Sequence, residues 1–117
     1  MNLNNVMIGT EDAPKLAAFY TKMFGDPAWD EGGYTGWQIG TGGLMVGPHD
    51  QVKGTNAEPG RLMFNIESAD VRADFERLST AGATVVAEPY APSDEAEVLV
   101  ATLADPDVNY FHLVSPM

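Results

Sequence analysis

The sequence predicts an α+β protein made of two strand–helix–three-strand (βαβββ) modules, which form a cup-shaped mixed sheet with the helices on the outside. Three observations support this fold class. Residues 12–25 and 69–82 have the apolar spacing and the end residues of helices. Each of these segments follows one strand pattern and precedes three others. The same order of elements therefore occurs twice along the chain.

The first module covers about residues 1–47 and opens with a strand over residues 2–9, where branched apolar residues alternate with polar ones. In the helix that follows, Asp12 can cap the first turn, Pro14 suits that turn, and Gly25 can end the helix. The apolar residues of this helix have helical spacing and form one face: Leu16, Phe19, Tyr20 and Met23.

Residues 27–47 contain short apolar stretches separated by glycine pairs. Gly32-Gly33 and Gly42-Gly43 are turn signals, so the segment predicts three antiparallel strands. The polar residues that follow include Gly and Pro and predict a linker over about residues 48–59.

The second module covers about residues 60–117 and repeats the order of the first. A strand over residues 60–68 precedes a helix that Asp70 can cap and Gly82 can end. The predicted apolar face of this helix consists of Val71, Phe75 and Leu78. The remaining strands are predicted over residues 83–91, 97–104 and 109–114, with a turn over residues 105–109 before the last one and a solvated acidic loop at residues 94–97.

A degenerate internal repeat accounts for the two similar modules. Aligning Asn5 with Arg61 places Val6 over Leu62 and Ile8 over Phe64. The alternative is that any two modules of one type share such an apolar pattern.

Strand alternation separates the predicted core from the predicted site. Apolar residues are expected beneath the helices: Val6, Ile8, Leu62, Phe64, Ile66, Phe111 and Leu113. The opposite face carries Asn5, Met7, Arg61, Met63, Asn65, Tyr110 and His112. This second set is too polar for a dry core, so we expect it to line the wall of a ligand cavity.

Three segments resemble the vicinal oxygen chelate superfamily, which includes glyoxalase I, bleomycin-resistance proteins and extradiol dioxygenases. They are the predicted helix LAAFYTKMFG, the segment GWQIG…LMVGPHD and the C-terminal segment ADPDVNYFHLVSP. The resemblance covers nearly the whole chain and implies a cup-shaped fold. It also implies a homodimer, since cups of this superfamily often pair across chains and sheet edges need cover.

The resemblance also implies where a metal would bind. Metal-dependent members use four positions, usually His, Glu or Gln, which fall here on Asn5, near Val46, on Arg61 and on His112. Only His112 is a good ligand, and the guanidinium of Arg61 repels a cation. We therefore predict no metal and no cofactor. Val108 stands where the superfamily usually has glycine, at a turn position expected to need positive φ, so we predict local strain there.

The predicted function is binding of a small organic ligand by a glyoxalase/bleomycin-resistance type protein. The predicted ligand-binding residues are Asn5, Met7, Trp37, Arg61, Met63, Asn65, Tyr110 and His112. Arg61 can clamp an anionic group or pair with an acid such as Glu97. His112 is a candidate catalytic base or a hydrogen-bonded wall residue. Trp37 and Tyr34 can stack on a flat ligand or belong to the core or to a dimer interface.

Two other functions remain open at this point. One is a glyoxalase-like lyase, isomerase or dioxygenase with a non-standard metal site. The other is an accessory domain whose cup is filled by side chains.

Composition limits the partners. The net charge of -11 repels nucleic-acid phosphates and anionic lipids, and it favours a cationic ligand if the acids line a cleft. The absence of cysteine excludes disulfides, a thiolate nucleophile and a zinc–thiolate site. No apolar run suits a signal peptide or a membrane span, so we predict a soluble cytoplasmic protein without nucleic-acid or membrane partners.

Overall fold

A computed structural model describes residues 1–94 and 97–116, in which two helices and eight strands follow the predicted order. The contacts divide the chain into two compact units, Met1–Gly54 and Thr55–Met117. Glu95 of the predicted acidic loop lies outside the described residues. No helix in the described ranges is long and apolar enough to cross a membrane.

Unit 1 contains one helix and a four-stranded sheet. Its elements are β1 (Val6–Thr10), α1 (Ala13–Phe24), β2 (Trp29–Glu31), β3 (Tyr34–Ile39) and β4 (Gly42–Pro48). The strand order across the sheet is β1-β4-β3-β2. Strand β1 runs parallel to β4, whereas β2, β3 and β4 form an antiparallel meander. The sheet is therefore mixed, as the α+β fold class requires.

Unit 2 has the same topology. Its elements are β5 (Phe64–Glu67), α2 (Val71–Thr80), β6 (Thr84–Tyr90), β7 (Val100–Ala104) and β8 (Tyr110–Val114). The order across the sheet is β5-β8-β7-β6, and β5 runs parallel to β8. Each strand of unit 2 thus has a counterpart in unit 1, which confirms the prediction of two βαβββ modules.

Both helices begin at the predicted residues. The Asp12 side chain accepts a hydrogen bond from the backbone N–H of Lys15, and Asp70 accepts one from that of Ala73. Helix α1 ends at Gly25, whose φ of 91° lies in the left-handed region that glycine tolerates. The buried faces of both helices are the predicted ones: Leu16, Phe19, Tyr20 and Met23 in α1, and Val71, Phe75 and Leu78 in α2.

Each helix packs on one face of the sheet in its own unit. In unit 1 the ring centroids of Tyr20 and Trp37 are 6.0 Å apart, and Val46 is fully buried on the same side. In unit 2 Phe111 and Leu113 are buried as predicted, and the Phe64 ring stacks on Phe111 at 5.2 Å. We call the other face of each sheet, opposite the helix of its own unit, the helix-free face.

The predicted strand over residues 60–68 is too long. Strand β5 begins only at Phe64, because the backbone N–H of Arg61 donates to the Glu58 carbonyl and closes a turn just before it. Leu62, expected beneath the helix, lies outside the strand and is 77% exposed. The pattern of apolar residues alone does not distinguish such a turn from the start of a strand.

The second turn of unit 1 also differs from its prediction. The turn between β3 and β4 lies at Gly40 and Thr41, where Gly40 has a φ of 59°. Gly42 and Gly43 belong to β4 instead. A side chain at Gly43 would meet the Cβ of Asn5 at 3.0 Å, so this glycine permits a close approach between neighbouring chain segments. The first turn, at Gly32-Gly33, lies where it was predicted.

The internal repeat has a different alignment from the predicted one. Thr10 accepts a hydrogen bond from the backbone N–H of the helix cap Asp12, and Ser68 accepts one from that of the cap Asp70. These equivalent contacts place β1 over β5, with Val6 over Phe64 rather than over Leu62. The counterpart of Asn5 is therefore Met63, not Arg61.

Candidate functional site

The helix-free face of unit 2 brings Asn65 and His112 together. These residues stand opposite each other on the adjacent parallel strands β5 and β8. Nδ1 of His112 lies 2.8 Å from Oδ1 of Asn65, which is hydrogen-bond distance. Both were predicted to lie on this face, and the register of the two strands explains their meeting.

This contact selects one form of the neutral imidazole ring. An amide oxygen can only accept a hydrogen bond, so the Nδ1–H group of His112 donates to Oδ1 of Asn65. In the neutral ring Nε2 then holds the lone pair. The pair consequently offers one oriented acceptor, able to take a hydrogen bond or a proton from a bound molecule.

The surroundings of His112 are mixed in polarity and burial. Thr102 stands opposite it on β7 and is buried, and Tyr110, two residues earlier on β8, is half-buried. Asn65 is exposed and His112 is half-buried, so the ring is partly sheltered while remaining accessible.

Arg61 does not share this strand environment. It precedes β5, so strand alternation does not set the direction of its side chain. Its guanidinium Nη2 lies 3.0 Å from Oε2 of Glu58, and the side chain is 75% exposed. The premise that Arg61 is a strand residue beside His112 is wrong. The alternative, pairing with an acid, is the observed arrangement, with Glu58 in place of Glu97.

Trp37, predicted as a ligand-binding residue, does not lie on the helix-free face. Its side chain is buried against α1, and Nε1 donates to the carbonyl of Gly25 at 3.0 Å. The alternative that Trp37 belongs to the core is therefore the one that the structure supports. Tyr34 is exposed on the helix-free face, because residues 34 and 37 are separated by an odd number of strand positions.

A row of apolar residues crosses the helix-free face of unit 1. Met7 stands opposite Met45, Met45 opposite Gly36, and Gly36 opposite Trp29 across neighbouring strands. Of these residues the sequence prediction included only Met7, and it missed Trp29 and Met45. The alternation of Tyr34, Gly36 and Gln38 on one face of β3 was the signal that could have found them.

The strand registers also correct the positions that the resemblance assigned to metal ligands. Val46 is fully buried beneath α1, so it faces away from the helix-free surface. Met7 stands opposite Met45 across β1 and β4, just as Asn65 stands opposite His112 across β5 and β8. The counterpart of His112 in unit 1 is therefore Met45. With Met63 as the counterpart of Asn5, the four equivalent positions hold Asn5, Met45, Met63 and His112.

This donor set does not fit the divalent ions that oxygen and imidazole ligands hold. It supplies one imidazole, one neutral amide and two thioethers, which bind such ions weakly. The Asn5 amide also donates to Oδ1 of Asn4 at 2.7 Å. No group of three or more His, Cys, Asp or Glu side chains within residues 1–94 and 97–116 is placed to hold an ion.

The turn before β8 fixes where that strand begins, two residues before His112. The buried carboxylate of Asp105 accepts hydrogen bonds from the backbone N–H groups of Asp107 and Asn109 and from the Asn109 amide. The Asn109 amide oxygen accepts a further hydrogen bond from Asn56. Within this turn Val108 has a φ of 65°, which confirms the predicted strained position.

A cleft of about 600 Å³ lies elsewhere in unit 1, between α1 and the β2–β3 hairpin. Its lining is mostly small and apolar, with carboxylates from Glu11 and Asp30. Glu11 pairs with Lys53 at 3.7 Å. None of the predicted site residues lines this cleft, so we place the candidate site on the helix-free faces instead.

Comparisons with solved structures identify the same fold. A glyoxalase/bleomycin resistance protein/dioxygenase family enzyme from Burkholderia phytofirmans PsJN is 21% identical, with a TM-score of 0.78 over 100% of both chains. A glyoxalase-related enzyme from Fulvimarina pelagi is 21% identical, with a TM-score of 0.76 over 98% of this chain and 88% of that one. The fosfomycin resistance protein FosX from Listeria monocytogenes is 18% identical, with a TM-score of 0.73 over 100% of this chain and 94% of that one.

Identities this low show a shared fold and nothing about the reaction. No curated protein matches the sequence. Residues 5–114, however, match the family model described as a glyoxalase-like domain. That match spans both units, including the strand that carries His112, and the topology of each unit is the one that the resemblance to the superfamily implied. The chain therefore belongs to the glyoxalase-like domain family, within the vicinal oxygen chelate superfamily.

Proposed function

We propose that this protein binds a small organic ligand on the helix-free face of unit 2, without a metal. The observation that carries the proposal is the 2.8 Å contact between His112 Nδ1 and Asn65 Oδ1. It leaves Nε2 of a half-buried ring as an oriented acceptor. The ligand is expected to present an N–H or O–H group to that nitrogen.

The charge of the protein favours a ligand that is neutral or positive. The net charge is -11, and in this arrangement Asn65 and His112 offer acceptor atoms rather than cations. A protonated amine would satisfy both features, since it donates hydrogen bonds and carries positive charge. The exposed Arg61–Glu58 ion pair lies outside this acceptor pair, so it is not assigned a role in binding.

The family supports a small organic ligand in particular. The names of structural neighbours include a bleomycin resistance type protein and a fosfomycin resistance protein. Those names concern the neighbours, and we take from them only the size and kind of molecule to test. Binding without turnover is the function proposed.

The experiment is a thermal-shift screen of small amines, small acids and cationic drugs on wild type and two histidine variants. His112→Gln removes the imidazole acceptor. His49→Gln is the matched control, since His49 lies in an exposed turn of unit 1 where Nδ1 accepts from the Gln51 backbone N–H. A compound present at about 100 times its dissociation constant stabilises the folded protein by about 2.7 kcal/mol, a readily measured shift.

Compounds that stabilise wild type and His49→Gln are expected to bind His112→Gln about tenfold more weakly, the cost of one lost hydrogen bond to a partly buried group. Asn65→Asp retains an acceptor for Nδ1–H and is expected to preserve binding of amines, whereas Asn65→Leu is not. The proposal fails if no compound stabilises wild type, or if the same compounds stabilise His112→Gln equally.

A further inference from the structure

The cleft between α1 and the β2–β3 hairpin lies on the side of the unit 1 sheet that α1 covers, not on the helix-free face. Thr35 lines this cleft and stands opposite Val46 in the strand register. Both residues are buried, and Val46 lies beneath α1, so opposite strand positions place Thr35 on the same side. The volume of about 600 Å³ falls within the range of about 300–1,000 Å³ that is typical of ligand pockets.

Small side chains on α1 keep this cleft open. Ala13, Ala17 and Thr21 follow one another at four-residue spacing and form the helix wall of the cleft, beside the buried stripe of α1. An alanine side chain is a single methyl group, so this wall leaves the space between the helix and the hairpin unfilled. The helix therefore contributes an apolar surface of methyl groups, with one hydroxyl toward its C-terminal end.

A buried hydroxyl group opens onto the cleft. Thr35 is 8% exposed, and its hydroxyl has no hydrogen-bond partner among the described residues. Those residues contain no fully enclosed side-chain oxygen without a partner. The Thr35 hydroxyl must therefore reach the open space of the cleft that this residue lines. A polar group in such a place is satisfied by solvent or by a ligand.

A carboxylate stands beside this hydroxyl. Asp30 is directly opposite Thr35 across β2 and β3, so the two side chains project from the same face of the sheet. Asp30 also lines the cleft, and its carboxylate has no ion pair or hydrogen bond within the described residues. The Thr21 hydroxyl donates to the Ala17 carbonyl at 2.9 Å, so its oxygen is left as an acceptor. The cleft therefore offers one unpaired carboxylate and two hydroxyl oxygens to a hydrogen-bond donor.

The charge around the cleft is negative. Glu11, the second carboxylate in the lining, pairs with Lys53 at 3.7 Å. Glu11 is thus compensated, whereas Asp30 is not. No basic residue lines the cleft in the described part of the chain, since Lys15 and Lys22 of α1 lie outside the lining. A cation in the cleft would meet one free carboxylate within a chain whose net charge is -11.

We infer that this cleft binds a small primary ammonium ion with a compact aliphatic body. The ammonium group has three donors and no acceptor, which matches the Asp30 carboxylate and the Thr35 hydroxyl. The aliphatic body lies against the alanine methyl groups of α1. A divalent metal ion fits less well, because such ions require several oxygen ligands at fixed distances and only one carboxylate is free. The cleft belongs to unit 1, so the inference does not rest on the function proposed for unit 2.

The test compares three small molecules that share one aliphatic ring. Cyclohexylammonium is the cation, cyclohexanol the neutral analogue and cyclohexanecarboxylate the anion. Backbone amide NMR spectra recorded during each titration report which unit the molecule contacts. Asp30→Asn removes only the charge, and Thr35→Val removes only the hydroxyl. Glu31→Gln is the matched control, because Glu31 is the adjacent acid of β2 and projects from the opposite face of the sheet.

Cyclohexylammonium is expected to shift the amide signals of Ala17, Gly33 and Thr35, which line the cleft, in the millimolar range. Asp30→Asn is expected to bind it about tenfold more weakly, the effect of losing a charged hydrogen-bond partner, and Thr35→Val about threefold more weakly. Glu31→Gln is expected to bind it as wild type does. Cyclohexanol and the carboxylate are expected to bind wild type about tenfold more weakly than the cation does.

Filling the cleft gives an independent readout. Ala17→Leu places a larger side chain in the helix wall with little change in helix propensity, so it is expected to abolish the shifts at Gly33 and Thr35. Should Asp30→Asn fail to fold, Thr35→Val and Ala17→Leu decide, with the same expected losses.

The inference is overturned if cyclohexylammonium leaves the cleft signals unmoved, or if Asp30→Asn and Glu31→Gln bind it equally. It is also overturned if the anion, or magnesium chloride at equal ionic strength, shifts the same signals as strongly. The amide signals of Asn65 and His112 report the proposed function separately. Movement there without movement at the cleft supports that function and overturns this inference.

Discussion

Val108 adopts the left-handed backbone region with a φ of 65°, although its side chain is β-branched. The hydrogen bonds of the turn account for this conformation. Asp105 accepts from the backbone N–H groups of Asp107 and Asn109, and its own carbonyl accepts from the Val108 N–H. The backbone around Val108 is thus held on both sides, and the surrounding contacts offset the strain.

Replacing Val108 by glycine is expected to stabilise the protein. Glycine adopts positive φ without the steric cost of about 1–2 kcal/mol that valine has, which stabilises the folded state. Its greater freedom in the unfolded chain offsets about half of that stabilisation. The net increase in the free energy of unfolding is expected to be about 0.5–1 kcal/mol, or a rise of about 2–4 °C in Tm.

Thermal and urea unfolding of Val108→Gly measure this effect. The matched control is Val100→Gly in β7, because Val108 is the only residue other than glycine with positive φ in the described part of the chain. Val100→Gly is expected to destabilise the protein. A Val108→Gly variant that is equally destabilised would show that packing of the valine side chain outweighs its backbone strain.

The sequence predicted single residues correctly where the alternation of side chains along a strand was enough to assign them to a face of the sheet. Asn65 and His112 were assigned to one face by alternation, and the structure places them in contact. Trp37 and Tyr34 were grouped because both are aromatic, but they are three positions apart on β3 and lie on opposite faces of the sheet. The prediction that Arg61 is a strand residue was wrong for another reason. The start of β5 depends on the turn that Glu58 closes with Arg61, and apolar spacing does not reveal this turn.

At the scale of elements, the same local hydrogen-bond arrangement precedes both helices. A buried hydroxyl, Thr10 or Ser68, precedes the capping aspartate by two residues and accepts a hydrogen bond from its N–H. In unit 2 the Ser68 hydroxyl also donates to Oδ2 of Asp74 at 2.6 Å. Cap residues were predictable from sequence because their chemistry is local. The alignment of the two modules was not, because it depends on these hydroxyl contacts.

Removing the cap of α2 is expected to destabilise unit 2. Asp70→Ala loses the hydrogen bond from the Ala73 N–H and is expected to lower the free energy of unfolding by about 1 kcal/mol. Asp70→Asn is expected to retain nearly all of the stability, since asparagine caps helices as well as aspartate does.

Urea unfolding of the variants measures the difference. Asp50→Ala serves as the matched control, because the Asp50 side chain is 97% exposed in a turn outside both helices. A loss of stability in Asp50→Ala as large as that in Asp70→Ala would show that removal of any acid, rather than loss of the cap, is responsible.

At the scale of the whole chain, repetition of one topology leaves each sheet with two edge strands. Strand β6 is one of the two edges in unit 2 and exposes Val85, Val86 and Tyr90, each more than 40% accessible. Register shifts between Val85 and Ala87 and between Ala87 and Tyr90 interrupt the ladder with β7. Irregular edges of this kind resist simple strand pairing, so we expect an association here to use side-chain packing.

We expect the protein to be a homodimer that uses the β6 edge. Exposed apolar side chains on an edge strand are the feature that monomeric proteins usually avoid, which is why this surface is chosen. Light scattering over a dilution series is expected to give twice the protomer mass of 12.6 kDa. Because each copy carries a net charge of -11, added salt is expected to strengthen the association by screening repulsion.

Two variants locate the contact. Val86→Lys places a charge within the exposed apolar row and is expected to shift the mass toward the monomer while Tm at low protein concentration changes little. Leu62→Lys is the matched control, because Leu62 is 77% exposed in the same unit but lies outside β6. A monomer mass for wild type at micromolar concentration contradicts the dimer. A dimer that Leu62→Lys disrupts and Val86→Lys leaves intact contradicts its assignment to the β6 edge.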